Sequence, residues 1–332
     1  MHKSIRRCRL SSCLLMFITL FPLKLLGAEQ PAPPIPASQT QESDSLAVID
    51  VPHNYLSGQI ASFANEIDRF FGGDRHYQES NQSVVQIDLT RVTGYGGDGK
   101  YDLAARVNLK MPATEGRLHL LLESDPENNI TDEQTQNSTL LSNQVTTPGS
   151  YGLAARYVKQ LEDIWHFSFD WGIKFPIPPH PFVRTRGSYS IPLGDVWRLK
   201  AAESVYWFNN LGLGETTQLD FERFLSKPVL FRATSTVTWL KDKQNFDLRQ
   251  DLSVYHTLND RTALLYQTSA IGVSNPQYEL TDFVLSVLYR YRLHRDWMFF
   301  EVSPQLHFPK EENFRSSPTL SLRLEMLFDD TK

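Results

Sequence analysis

His166 and Ser168 stand two residues apart, which on an extended strand puts a potential base and a potential hydroxyl nucleophile on one face. Phe169 and Asp170 follow. Nine histidines are scattered along the chain without the His-Xaa-Xaa-Glu-His type of spacing, so the sequence points to no metal site and no cofactor. Gly94-Tyr95-Gly96-Gly97-Asp98-Gly99 is glycine-rich, but no helix follows it. It reads as a hairpin loop rather than a phosphate cradle. The only cysteines are Cys8 and Cys13, close to the N-terminus. What remains is charge: a basic stripe of Arg184, Arg186, Arg198 and Lys200, the acids Asp220, Glu222, Asp247 and Asp251, and between them Arg232 and Arg249.

Those charges recur at every second position, so strands must position them. In Trp165 to Phe175 every odd-numbered residue is aromatic or aliphatic, while the even-numbered ones are His, Ser, Asp, Gly and Lys. Tyr101 to Lys110 and Phe283 to Arg292 alternate in the same way. Charged residues in mid-strand on one face and apolar ones on the other are the pattern of a transmembrane barrel, with lipid outside and a polar lumen inside. Closure also satisfies every backbone hydrogen bond, as a bilayer demands. Alternation and turn residues predict about fourteen strands, with twelve as the alternative: 84–92, 100–110, 116–125, 149–159, 165–175, 181–191, 195–208, 215–225, 229–241, 245–257, 261–272, 278–293, 297–308 and 318–328. The expected fold class is all-β, an antiparallel barrel over 83–328 with a short N-terminal helix. Within it, Arg184, Arg186, Arg198, Lys200, Asp220, Glu222, Arg232, Asp247, Arg249 and Asp251 are candidate pore-lining residues. Either they form cross-strand pairs, or facing basic and acidic arcs set a field across the lumen. Alternation also aims Glu203 at lipid.

Ahead of the barrel, Lys3, Arg6, Arg7 and Arg9 precede an apolar run from Leu10 to Leu26 and the small pair Gly27-Ala28. This order predicts a signal peptide over 1–28 and, after its removal, a mature chain without cysteine. Residues 29–52, rich in Pro, Ala, Ser and Gln, read as a disordered tether. Over 53–73 an amphipathic periplasmic helix is expected, since Leu56, Ile60, Phe63, Ile67 and Phe70 recur at spacings of three and four. Ile60, Phe63, Ile67 and Phe70 then form either a plug or a docking strip for a partner. Beyond the N-terminus no run of about 18 apolar residues exists, which excludes a multi-span helical membrane protein. A formal net charge of -5 gives no reason to expect a nucleic-acid partner.

At the C-terminus Leu320, Leu322, Leu324, Met326 and Phe328 alternate with Ser321, Arg323, Glu325 and Leu327. With the signal peptide and the alternation, this terminal strand resembles that of Gram-negative bacterial outer-membrane β-barrel proteins, although Asp329 to Lys332 follow the aromatic where the family pattern ends on it. The resemblance implies a location in the outer membrane. It also implies contact with outer-membrane lipid and the barrel assembly machinery, and a porin-like role in passing small polar solutes. A non-conducting barrel that anchors or assembles surface or periplasmic partners is the alternative. Outer-membrane phospholipases share the His166-Xaa-Ser168 spacing. They follow the serine with Asn-Gly and turn the site to lipid, so an enzyme is not expected.

Overall fold

The computed structural model describes residues 66–68, 70, 71, 82–95, 99–111, 117–128, 130, 149–161, 164–176, 178–194, 196–242, 244–294 and 297–329. The expected signal peptide and tether, and Ile60 and Phe63, lie outside the described residues. Fourteen strands follow one another: β1 Val84–Gly94, β2 Lys100–Lys110, β3 Leu118–Ser124, β4 Tyr151–Leu161, β5 Trp165–Lys174, β6 His180–Leu193 and β7 Trp197–Phe208. They continue as β8 Gly212–Ser226, β9 Val229–Leu240, β10 Asn245–Asn259, β11 Thr262–Val273, β12 Glu279–His294, β13 Met298–Pro309 and β14 Ser317–Asp329. Each pairs antiparallel with its neighbours, and β1 pairs with β14 to close the barrel. Fourteen strands rather than twelve therefore form the wall.

The alternation dictates which way each face turns. Tyr101, Leu103, Phe167, Trp171 and Phe328 are exposed on the outer surface, while Arg106, Asp170, Arg323 and Glu325 between them are buried inside. A soluble barrel would show the reverse. Pairing read across the strands climbs the wall: Val85 at the start of β1 leads through Val107, Leu122, Leu153 and Ile173 to Pro181 at the far end of β6. This is the stagger that a closed barrel of tilted strands requires.

The two ends differ. The end at which β1 begins and β14 finishes is closed by the connections 111–117, 162–164, 194–196, 227–228, 260–261 and 295–297. The opposite, loop end carries 95–99, 125–150, 175–179, 209–211, 241–244, 274–278 and 310–316. At the loop end Gly94 has φ +99, and a Cβ there would come within 2.3 Å of the Pro318 carbonyl oxygen, so only glycine lets β1 turn against β14.

Candidate functional site

The interior is where the sequence concentrates its chemistry, and every strand contributes to it through its inward register. In the β3–β6 sector, Arg156 holds Asp170 in a fork at 2.7 and 2.9 Å. Arg184 donates to the Oδ2 oxygen of the same Asp170 at 2.7 Å and to Glu123 at 2.8 Å. The connection after β3 folds inward over this group: Arg184 reaches the Pro126 carbonyl at 2.8 Å and Lys174 pairs with Glu127. Arg186 donates to Ser204 at 3.0 Å. Ser204 in turn donates to the Ile130 carbonyl at 3.2 Å. The Ile130 side chain joins Leu121, Ala154, Phe182, Tyr206 and Phe208 in an apolar cluster inside the barrel. Ser168, Asp170, Arg184, Arg186, Ser204 and Ile130 line a small cavity.

Around β7–β11 the pattern repeats with other partners. Arg198 donates to Glu222 at 2.6 Å, and Arg232 holds the other oxygen of Glu222 at 2.8 Å. Asp220 accepts from Thr234 at 2.8 Å. Arg249 donates to Asp251 at 2.7 Å, and Asp247 accepts from Asn245 at 3.3 Å. Lys200 is buried among them. Across β12–β14, Arg290 bridges Glu301 and Glu325 while Arg323 donates to Glu301 at 2.6 Å, and all four side chains are buried. The charges thus pair along and between strands on the same side of the wall, as Arg249 with Asp251 on β10 and Arg198 with Glu222 across β7 and β8. Glu222 does not face Arg198 across the lumen, as opposed basic and acidic arcs would require; it lies beside it and is bonded to it. Burial explains the choice, because a charge taken out of water is tolerable only with its partner in contact.

Near the start of β1 the inward register turns apolar, and a helical segment fills the space. Residues 66–68 and 70 are helical, and the Phe71 amide donates to the Ile67 carbonyl at 2.9 Å. Ile67 and Phe71 are buried against Leu230, Tyr255, Ala263, Leu265 and Leu288. Phe70 packs edge-on to Phe299, their ring centroids 5.7 Å apart, and the Arg292 guanidinium lies 5.3 Å from the Phe70 ring. Asp68 closes the contact by accepting from Arg232 at 2.7 Å. Of the predicted strip, Ile67 and Phe70 therefore lie inside the barrel. Their apolar receivers, Leu230, Leu265, Leu288 and Phe299, were not singled out from the sequence. Their signal was an apolar residue in the polar register, as with Leu288 between Ser286 and Arg290.

His166 and Ser168 are both buried on the inward face, and Ser168 lines the small cavity beside Asp170 and Arg184. Among the described residues no group of three His, Cys, Asp or Glu side chains is placed to hold a metal ion. Outside, tryptophan and tyrosine gather at two levels. Trp165, Tyr189, Trp197 and Trp297 sit near the short turns, and Tyr151, Trp171, Trp207 and Trp239 near the loop end. The Trp165 and Tyr189 rings touch at a tilt of 39°, with centroids 4.4 Å apart.

An apolar outer band between aromatic girdles, around a charged interior, is the architecture of a membrane-spanning β-barrel. No family model matches the chain, and no curated protein matches it. Among solved structures it is similar to OmpT of Vibrio cholerae, with 8% identity, TM-score 0.45 and coverage of 74% of this chain and 97% of that one. It is also similar to the outer membrane channel DcaP of Acinetobacter baumannii, with 9% identity, TM-score 0.41 and coverage of 74% and 96%. The NanC porin gives 9% identity, TM-score 0.39 and coverage of 73% and 98%. At such scores the barrel assignment rests on this chain's own strand pairing.

Proposed function

We propose that the chain spans the outer membrane of a Gram-negative bacterium as a channel-like barrel for small polar solutes, with the helical segment around Ile67 narrowing its periplasmic mouth. The carrying observation is the inversion of polarity around the wall: charged residues buried inside, apolar residues exposed outside, and no free edge through which backbone groups would meet lipid. Short connections at the end that holds the helix and longer ones at the other support a periplasmic and an external end respectively. Solutes meeting this lumen encounter alternating charges in neutral pairs, which favours hydrated polar molecules over ions of one sign. A second reading, a non-conducting barrel that anchors or assembles partners, draws support from the buried pairs of β12–β14 and from the filled mouth.

Reconstitution in a planar bilayer separates the two. Discrete conductance steps are expected, and removing residues 53–73 should enlarge them without preventing assembly, because Ile67, Phe70 and Phe71 then leave the mouth. A barrel that stays silent with and without this segment favours the anchoring role. If the segment instead docks a periplasmic partner, its removal leaves conductance unchanged and releases that partner from pull-downs.

A further inference from the structure

The outer wall is not uniform. Mid-strand outward positions on β12, β13, β1 and β5 are held by Leu285, Val302, Leu89 and Phe169. On β6 to β11 the corresponding positions are Thr185, Glu203, Thr217, Ser235, Gln250 and Thr268, one polar residue per strand. They form a continuous belt. Glu203 stands opposite Thr217, and Ser235 opposite Gln250. At β9 and β11 the belt steps two residues toward the periplasmic end, and at β6 two residues the other way. Those steps offset the stagger of the wall and keep the belt near one height in mid-membrane.

Lipid cannot satisfy this belt. Thr217 donates to one oxygen of Glu203 at 2.7 Å, but the Oε1 atom of Glu203 is buried with no hydrogen-bond partner among the described residues. Ser235 donates to the exposed Gln250 side chain at 2.5 Å, and the Gln250 amide donates to the Thr234 carbonyl at 2.9 Å and the Asp251 carbonyl at 3.3 Å. Carboxylates thus collect on β7 and β8, where Glu215 adds a second one, and neutral polar side chains, Gln250 and Thr268, stand on β10 and β11. Small residues flank them: Gly187, Ala201, Ala233 and Ala270 allow two walls to approach closely.

We infer that this sector is an interface with a second copy of the same chain, related by a two-fold axis along the membrane normal in front of β9. Such an axis turns β8 of one copy toward β10 of the other, and β7 toward β11, while leaving every height unchanged. The Glu203 and Glu215 side of each copy then meets the Gln250 and Thr268 side of its mate, twice over. That self-complementarity is what an isologous contact needs. It places the two Ser235 residues close to the axis, and it rests on the membrane-spanning reading above.

The test uses the full chain extracted from outer membranes in mild detergent. An unheated gel shift first establishes a folded barrel; its absence sinks the membrane reading and this inference together. With the barrel folded, native mass spectrometry is expected to give twice the protomer mass. Ser235→Cys should form a disulfide-linked dimer in the membrane under mild oxidation, whereas Leu285→Cys on the apolar side should not. A protomer mass, equal crosslinking at both positions, or a Ser235→Cys crosslink to a different polypeptide each overturns the dimer while leaving the membrane reading intact.

Discussion

On β13 and β14 two chemistries share one backbone. Phe300, Val302, Leu322 and Leu324 face outward, and Glu301, Arg323 and Glu325, one residue away in each case, lie buried inside. The outer side chains need only be apolar, because each meets a solvent that makes no specific demands. Each of these inner charges requires a partner in contact, because Glu301, Arg323 and Glu325 are buried and a missing partner there is not replaced by water. The same strand therefore carries a tolerant face and an intolerant one, and the period of two keeps them apart.

Removing one inner partner should give the largest effect. Arg290 bridges Glu301 and Glu325 and lies with its guanidinium carbon 3.9 Å from the centroid of the Phe299 ring. Arg290→Met leaves two buried carboxylates sharing Arg323, and the expected loss is about 3 to 5 kcal/mol. Urea unfolding of the barrel in lipid vesicles measures it. A loss under about 1 kcal/mol would mean that water reaches these groups and that the interior is less demanding than its burial indicates.

The outer face breaks in a different way. Leu285→Arg places a charge in the apolar band and should cost about 2 to 4 kcal/mol or block assembly, as Phe169→Arg should on β5. Ser286→Arg, one residue away and turned inward, should be accepted far better, since the lumen already holds arginines. Ser168→Arg, though also turned inward, should instead fold poorly. Ser168 is buried in the small cavity that it shares with Arg184 and Arg186, where Asp170 is already held by Arg156 and Arg184. Folding yield and the unheated gel shift read all four variants, and equal yields from Leu285→Arg and Ser286→Arg would overturn the assignment of the faces.

The architecture was legible because the strand pattern is local. Fourteen segments read from alternation fall within a few residues of the observed strands; 100–110 matches β2, and 116–125 overshoots β3 (Leu118–Ser124) at both ends. Which charge meets which was not legible. Arg198 and Glu222 are 24 residues apart and become neighbours only through the register of β7 on β8. Alternation names a face without fixing a register, so the sequence could favour paired charges over opposed arcs but could not name the partners. The inward fold of the connection after β3 was also hidden, because Pro126 acts through its carbonyl oxygen, which no side-chain pattern reveals.

The rim supplies the smallest effect and the sharpest control on the inner face. Lys310 pairs with Glu279 at the loop end, the same kind of contact as Arg290 with Glu301, yet the Lys310 side chain is 49% exposed where that of Arg290 is 0%. An exposed pair gains little because water solvates either partner when the other is removed, and ordering the long lysine chain offsets part of the attraction. Lys310→Ala should therefore change stability by less than about 1 kcal/mol, and what effect it has should fade at high salt. Arg290→Met should keep most of its effect in the same salt, since Arg290, Glu301 and Glu325 are buried away from the bulk ions that screen an exposed pair. If the two variants lose stability equally and with the same salt dependence, burial is not what makes the inner face intolerant, and the contrast between the two faces of β13 and β14 needs another cause.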